Sequence, residues 1–216
     1  MNAINNFGPP LLGGLAVTIG ITLAAAVLAV VAALGGGLAR LSYYRVVRWT
    51  AAVYVEVFRG TSTLVQLFWF YFVLPFFGIN LSALAAGILV LGLNTGAYGA
   101  EVVRGAIVAV PRGQYDAAAA LNMSRLQTLY RIVLPQAALA MLPPAGNLMI
   151  ELLKNSALVS LITITELTFT AQLLRSETLR SAEIFAVVLL FYFLVALCIT
   201  GAFRLAEGKL KKSAPG

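Results

Sequence analysis

Long uncharged apolar runs alternate along this chain with short basic or polar segments. A helix needs about 20 apolar residues to cross the hydrocarbon core of a bilayer, so each long run predicts a membrane span. The uncharged run over residues 60–100 is long enough for two crossings, and Pro75, Gly78 and Asn80 supply turn residues near its centre. The five predicted spans cover residues 11–39, 52–77, 82–109, 137–165 and 184–203.

The fourth predicted span differs from the others because it contains helix-breaking and charged residues. Pro143, Pro144 and Gly146 lie near its start, and Glu151 and Lys154 follow. Such a helix is tolerated in a membrane only where neighbouring protein or water satisfies its backbone and side chains. We therefore expect an interrupted span that does not face lipid.

A polar stretch over residues 110–135 divides the third span from the fourth, and its pattern predicts two short helices. The first covers residues 114–121, with Asp116 in its first turn, and Asn122 occupies the left-handed position that ends many helices. Ser124 and Gln127 have the spacing of a capping box, which predicts the start of a second helix that ends before Pro135. From this pattern alone, the stretch is either a docking element for another protein or an amphipathic linker on the membrane surface.

Composition places the chain among integral membrane proteins. The 216 residues are 61% hydrophobic and 11% charged, whereas a soluble domain carries about 25% charged residues. Basic clusters beside the spans explain the net charge of +7, which argues against nucleic-acid binding. The absence of histidine removes the commonest general base and metal ligand, so we predict neither an enzyme nor a metal site. The single cysteine, Cys198, excludes an intrachain disulfide.

The distribution of basic residues predicts the orientation of the spans. Loops on the cytosolic side of a membrane are enriched in lysine and arginine. The three basic groups comprise Arg40, Arg45, Arg48 and Arg59; Arg104, Arg112, Arg125 and Arg131; and Arg204, Lys209, Lys211 and Lys212. We therefore expect the N-terminus outside and both the C-terminus and the 110–135 stretch in the cytosol. No basic residue precedes Arg40, so the first apolar run lacks the basic region of a cleavable signal peptide and is expected to remain as a span.

Polar residues inside the spans are candidates for a translocation pathway, because ionisable groups in a membrane usually face a cavity or other protein. Three of them share one helix face through their i, i+4, i+7 spacing, and a second set repeats that spacing on the fourth span. The first set is Asn94, Tyr98 and Glu101, and the second is Asn147, Glu151 and Lys154, followed by Asn155. The alternative is that Glu151 pairs with Lys154, and Glu101 with Arg104.

The 110–135 stretch resembles a family motif. Asp116-Ala117-Ala118, Asn122 and Ile132-x-Leu134-Pro135 are similar to the EAA loop of ABC importer permeases, although the family usually has Glu and Gly where Asp116 and Asn122 stand. The stretches FRGTSTLVQLFWFYFVLP, NTGAYGAEVVRGAIVAVPRGQ and LPPAGNLMIELLKNSALVS resemble the polar amino acid permeases of the histidine, glutamine and arginine group. Lys154-Asn155-Ser156-Ala157, with Leu121-Asn122-Met123 and Glu151, is similar to the ectoine and hydroxyectoine branch.

The resemblance implies an all-α, type I importer permease of the bacterial inner membrane, formed by one domain over residues 1–216. It implies three kinds of partner: a cytosolic ABC ATPase dimer, a second permease subunit of the same or a homologous chain, and an external solute-binding protein. ATP and Mg²⁺ would then bind the ATPase, and no cofactor would bind this chain. The residues that it implies for ATPase docking are Asp116, Ala117, Ala118, Asn122, Met123 and Ser124.

Two other classes of protein compete with this interpretation. A self-contained secondary carrier or channel would need a complete pathway in one chain, often built from two repeated halves, and five spans without an evident repeat argue against it. A membrane enzyme could use Glu101, Glu151 and Lys154 as an acid-base site. It would also need an oriented nucleophile or a metal, and the sequence supplies neither. The chain also lacks the glycine-rich loop that binds ATP phosphates, as expected if another subunit hydrolyses ATP.

Overall fold

The computed structural model describes residues 2–213, and the side chains of residues 7–211. The ends of the predicted 1–216 domain, and the side chain of Lys212, lie outside the described residues. Within residues 2–213 the regular elements are all helical. They are α1 (Asn2–Arg40), α2 (Arg45–Gly60), α3 (Thr63–Phe68), α4 (Ala83–Val108), α5 (Arg112–Ala120), α6 (Arg125–Thr128), α7 (Leu134–Asn155), α8 (Leu167–Thr178) and α9 (Ser181–Ser213), with short π- and 3₁₀-helical extensions described below.

Four helical stretches of the described chain are long and apolar enough to cross a membrane. They are Phe7–Arg40, Ala83–Val108, Arg125–Ile162 and Ser181–Lys211. A fifth span exists if α2 and the helix that follows it form one broken crossing. The all-α membrane fold and the count of about five spans are thus confirmed.

Small residues allow α1 and α4 to lie against each other at the centre of the molecule. A Cβ atom added at Gly96 would lie 2.6 Å from the Cβ of Ala32, and one at Gly99 would lie 2.6 Å from the Cβ of Ala33. Real Cβ atoms do not approach so closely, so only glycine permits this helix separation. Membrane helices associate through such contacts because lipid provides no hydrophobic driving force between them.

The region of the second predicted span, residues 52–77, is divided into two helices that differ in direction by 105°. The first, α2, ends at Gly60, and α3 begins at Thr63 and continues through a π-helical segment (Trp69–Val73) and a 3₁₀ turn (Leu74–Phe77). Gly78 then ends the helix in the left-handed conformation, with φ 81°. A single straight helix over this region is therefore not what the chain forms.

The fourth predicted span is helical from residue 137 to residue 162 rather than broken at its prolines, and its last three residues lie beyond the helix. The helix α7 contains Pro143 and Pro144 in its interior and ends only at Asn155, where it tightens into a 3₁₀ segment (Ser156–Ile162). Packing between α7 and the flanking helices α4 and α9 outweighs the local penalty of proline. Gly146 contributes to this packing, because a Cβ atom there would lie 3.2 Å from the ring of Phe203.

The short helix α8 was not predicted, and a buried carboxylate holds its first turn. Glu166 is fully buried and caps α8 by accepting the backbone N–H of Phe169 at 2.9 Å. Its other oxygen accepts the hydroxyl groups of Thr18 on α1 (3.1 Å) and Tyr192 on α9 (3.2 Å). Burial raises the pKa of this carboxyl group, although hydrogen bonds from the backbone and from the two hydroxyls oppose the shift.

Candidate functional site

The segment between α4 and α7 folds as a compact helical turn, called here the coupling segment (residues 111–133). Its first helix, α5, ends in a Schellman motif: the N–H of Met123 donates to the carbonyl of Ala118 at 3.0 Å, and that of Asn122 donates to Ala119 at 2.9 Å. Asn122 has φ 52°, the left-handed conformation predicted for it. The backbone therefore turns at a defined angle after α5.

Ser124 begins the second helix through the predicted capping box. Its hydroxyl accepts the N–H of Gln127 at 3.3 Å, and the Gln127 side chain accepts the N–H of Ser124 at 2.9 Å. This helix does not end before Pro135, as predicted, but continues through a π-helical turn (Leu129–Val133) into α7. Pro135 is the second residue of α7 and directly follows the π-helical turn. A continuous helical stretch thus joins the coupling segment to the membrane-spanning part of α7.

The exposed surface of the coupling segment combines polar and charged side chains with a smaller set of alanines and leucines. Asp116, Ala117 and Ala120 lie exposed on one face of α5, and the side chains of Leu121 and Leu126 also project outward. Behind them, an open cleft of about 730 Å³ separates the segment from the ends of α1 and α4. Residues lining it include Leu38, Ile107, Tyr115, Met123, Leu126 and Val133.

Two details of the predicted docking set need correction. The side chain of Ala118 is only 1% exposed, so it packs inside this chain and offers no surface to a partner. Asp116 lies in the second turn of α5 rather than the first, because the helix begins earlier, at Arg112. Asp116 is exposed, and a carboxylate beyond the first turn gains little from the helix dipole. Stabilisation of the helix start therefore does not account for an aspartate at this position.

One face of α7 presents polar side chains that lack partners within the described chain. Asn147, Glu151, Lys154 and Asn155 line an open cleft of about 590 Å³. Glu151 and Lys154 are exposed, and they form no ion pair with each other in the described part of the structure. The second predicted set of pathway residues is therefore brought together at a single surface of a membrane-spanning helix.

The first predicted set, on α4, faces a different part of the molecule. The side-chain amide of Asn94 is buried and donates to the carbonyl of Phe58 at 2.9 Å and to the Gln66 side chain at 3.1 Å. Gln66 in turn donates to the hydroxyl of Thr61 at 2.7 Å. These amides satisfy polar groups freed at the break between α2 and α3, so Asn94 supports the broken helix.

Tyr98 and Glu101 also contact neighbouring helices of this chain. The hydroxyl of Tyr98 donates to the carbonyl of Arg59 at 3.4 Å, and the Arg59 guanidinium lies 5.2 Å from the centre of its ring. Glu101 accepts a hydrogen bond from Arg104 at 2.9 Å, the pairing considered as an alternative from the sequence, and also lies 3.0 Å from Arg40 on α1. The Arg40 contact lacks hydrogen-bond geometry, so its attraction is Coulombic.

Sequence reasoning missed three of the polar residues that organise these helices. Gln66, Arg40 and Glu166 each bond to a residue far away in the chain. Gln66 was detectable as an amide within an otherwise apolar run, and Glu166 as a carboxylate at the end of a predicted span. Among the described residues, no group of three or more potential metal ligands lies together.

Comparison with known proteins places these features in a family. Residues 25–212 match the model of the binding-protein-dependent transport system inner membrane component. A probable amino-acid ABC transporter permease of Sinorhizobium fredii is 46% identical over 94% of this chain and 88% of its own length. The L-cystine transport system permease of Bacillus subtilis is 34% identical over 96% of this chain and 89% of its own, and the glutamine transport system permease of Escherichia coli is 33% identical over 94% of each.

Solved structures have the same fold. A crystal structure of an amino acid ABC transporter with histidines superposes with a TM-score of 0.89 at 35% identity, and covers 96% of this chain and 97% of its own. An inward-facing methionine ABC transporter superposes with a TM-score of 0.78 over 93% of this chain and 96% of its own. At 20% identity, the second likeness concerns the fold alone.

Proposed function

This chain belongs to the family of binding-protein-dependent transport inner membrane components, and on that premise we propose that it is the permease subunit of an ATP-driven importer of small zwitterionic solutes. The observation that carries the proposal is the coupling segment, whose angle is set by the Schellman motif at Asn122 and the capping box at Ser124. The second helix of this segment is continuous with α7, so a displacement of the segment would move a membrane-spanning helix.

The proposed partner of the coupling segment is a cytosolic ABC ATPase dimer, which would bind ATP and Mg²⁺. The exposed face of Asp116, Ala117 and Ala120 favours a close contact, because alanine side chains let another backbone approach. Leu121 and Leu126 add apolar area that is 73% and 67% exposed in the single chain. The orientation that the basic residues predict, with the N-terminus outside and the C-terminus inside, would place this face in the cytosol of a bacterial cell.

A second permease subunit is proposed to cover the polar face of α7. Glu151 and Lys154 are exposed on a helix long enough to span the membrane, and charged side chains facing lipid are energetically unfavourable. A second chain, identical or homologous, would enclose the open cleft beside them and convert it into a pathway. Within that pathway, Glu151 would bind the cationic group of a zwitterion, and Lys154 or Asn155 would bind its carboxylate.

The proposed solute is an amino acid or a related compatible solute, delivered by an external solute-binding protein. The names of the amino-acid, cystine and glutamine permeases support this class. Ectoine or hydroxyectoine is the specific proposal, which rests on the resemblance of Lys154-Asn155-Ser156-Ala157 and its companion residues to that branch. Such zwitterions carry both charges that the face of α7 complements.

Two measurements test the proposal. The first is purification of this chain from its native membrane, where we expect an ABC ATPase to remain bound. Uptake by the chain reconstituted without any ATPase would support the alternative, a self-contained carrier. The second is identification of the solute held by the partner binding protein. Ectoine or hydroxyectoine is the expected ligand, and arginine or histidine alone would exclude the specific proposal while leaving an amino-acid importer.

A further inference from the structure

The corner between α1 and α2 exposes a cluster of basic and aromatic side chains. Arg45 and Arg48 are exposed in the first turns of α2, beside Tyr43, Tyr44 and Trp49. Tyrosine and tryptophan concentrate where a protein crosses the boundary between lipid headgroups and hydrocarbon. The start of α2 therefore has the composition of a helix end located at the membrane surface.

The positive charges of this corner are not neutralised within the described part of the chain. The Arg48 guanidinium donates to the carbonyl of Ser42 at 3.3 Å, and neither it nor Arg45 forms an ion pair with a described carboxylate. The acidic residue of α2, Glu56, instead lies 3.6 Å from Arg40. Tyr44, at the N-cap, makes no side-chain hydrogen bond to the first turn of α2, and that turn contains no acidic residue. The partial positive charge at the start of the helix therefore adds to the charges of the two arginines.

The arginines border an open cleft that is shaped by one face of the helix. Arg45, Arg48, Trp49 and Ala52 recur at i, i+3, i+4 and i+7, so they share that face, and with Val46 they line a space of about 520 Å³. Both arginines thus border the same cleft, where one anionic group could contact them together. Guanidinium groups suit phosphate because their N–H donors can bind its oxygens in pairs.

An apolar stripe continues from this cleft along α2. Val46, Trp49, Val53 and Val57 are all exposed, and their spacing places them along one side of the helix. The eleven-residue rise from Val46 to Val57 spans about 16 Å at 1.5 Å per residue. That length is about half of the 30 Å hydrocarbon thickness of a bilayer. The two arginines suit an anionic headgroup, and the stripe has the length of an acyl chain within one leaflet of the bilayer.

We propose that the α1–α2 corner is a binding site for an anionic phospholipid of the cytosolic leaflet, with its phosphate at Arg45 and Arg48 and an acyl chain along the stripe. Free phosphate could bind the arginines, but it would make no contact with the valines of the stripe. An acidic protein segment without apolar side chains would likewise leave the apolar stripe unmatched. A phospholipid satisfies the charge and the stripe together.

Photo-crosslinking in the assembled importer tests this site. The importer would be placed in a bilayer that contains phosphatidylglycerol with a photoreactive acyl chain, and labelled peptides would be identified by mass spectrometry. A parallel sample would contain the matching phosphatidylcholine. We expect labelling of residues 46–57 by phosphatidylglycerol at roughly tenfold the level given by phosphatidylcholine, because basic residues near a membrane attract anionic lipid. An excess of inorganic phosphate should leave the labelling in place.

Charge variants make the test specific. The pair Arg45→Gln and Arg48→Gln should remove the preference for phosphatidylglycerol, whereas Arg45→Lys with Arg48→Lys should keep most of it. Lys209→Gln with Lys211→Gln removes the same charge from the end of α9 and should leave the preference unchanged. Equal labelling by the two lipids, or an unchanged preference in the glutamine pair, would overturn the proposal. So would displacement by phosphate, or failure of both lipids to reach residues 46–57, since another subunit would then cover them.

Discussion

The side-chain amide of Asn94 on α4 lies 3.1 Å from the side-chain oxygen of Gln66 on α3, and it also donates to the carbonyl of Phe58 on α2. One buried residue therefore holds both sides of the break between α2 and α3. Hydrogen bonds of this kind matter in a membrane, because the hydrocarbon offers no water to replace them.

Replacement of Asn94 by leucine should destabilise the permease. The change leaves the Gln66 side-chain oxygen without its donor and removes one of the two hydrogen bonds to the Phe58 carbonyl, which still accepts from the Gln66 amide. A buried unsatisfied group costs about 1–3 kcal/mol. We expect a fall of several degrees in the midpoint of thermal unfolding of the detergent-solubilised complex. Asn80→Leu, at an exposed position between Gly78 and α4, is the matched control and should unfold near the wild-type temperature. An unchanged midpoint for Asn94→Leu would show that these bonds do not support the break.

Replacement of Gly96 by valine should separate α1 from α4. The added Cβ would lie 2.6 Å from the Cβ of Ala32, so one helix must move or the pair must dissociate. Overpacking of this type costs about 1–3 kcal/mol or more, and we expect reduced membrane levels and a lower unfolding midpoint. Gly105→Ala on the same helix has open space around it and should be neutral or slightly stabilising. Normal levels and stability of Gly96→Val would contradict the close packing.

Replacement of Ala117 by arginine should block the proposed ATPase contact. The side chain of Ala117 is exposed, so the larger residue leaves the coupling segment folded but places an unpaired charge in the interface. An uncompensated buried charge costs about 3–5 kcal/mol. We expect normal membrane levels with loss of ATPase co-purification and uptake. Ala118→Arg is less informative, because Ala118 is buried in this chain.

The control for this change is Ala182→Arg, at an exposed position at the start of α9 on the opposite side of the proposed topology. It should retain both the ATPase and uptake. If Ala117→Arg does so as well, the coupling segment is a surface linker.

Replacement of Glu151 by glutamine should impair uptake without loss of the assembled complex. The carboxylate proposed to bind the cationic group of the solute would be lost. A hydrogen bond to a charged group is worth about 1.5–3 kcal/mol, which predicts roughly a tenfold to hundredfold reduction in uptake efficiency. Glu177→Gln removes a carboxylate exposed on α8 and should transport normally. Wild-type uptake and solute preference in Glu151→Gln would exclude this residue from the pathway.

The orientation of the spans can be measured with cysteines at two exposed positions. Ser124→Cys and Ser181→Cys, each in a Cys198→Ser background, lie on the coupling segment and at the start of α9. An impermeant maleimide added to intact cells should label only the second, whereas inside-out vesicles should label only the first. Labelling of both from the outside would reject the proposed topology.

Features that depend on short-range interactions could be predicted from the order of residues. The apolar runs predicted the membrane fold, and the capping pattern at Ser124 and the left-handed Asn122 were visible because their partners lie within a few residues. The clustering of Glu151 and Lys154 followed from helical spacing alone. Each of these features is set by the geometry of a single helix.

The division of the polar side chains into those with hydrogen-bond partners and those without depends on how the helices pack. Asn94 and Glu101 share the spacing of the α7 residues, yet Asn94 bonds to the broken helix and Glu101 pairs with Arg40, which lies 61 positions earlier in the chain. The burial of Ala118 among exposed alanines likewise depends on how α5 packs. Burial and pairing arise from helices brought together across the fold, so the local pattern of residues could not reveal them.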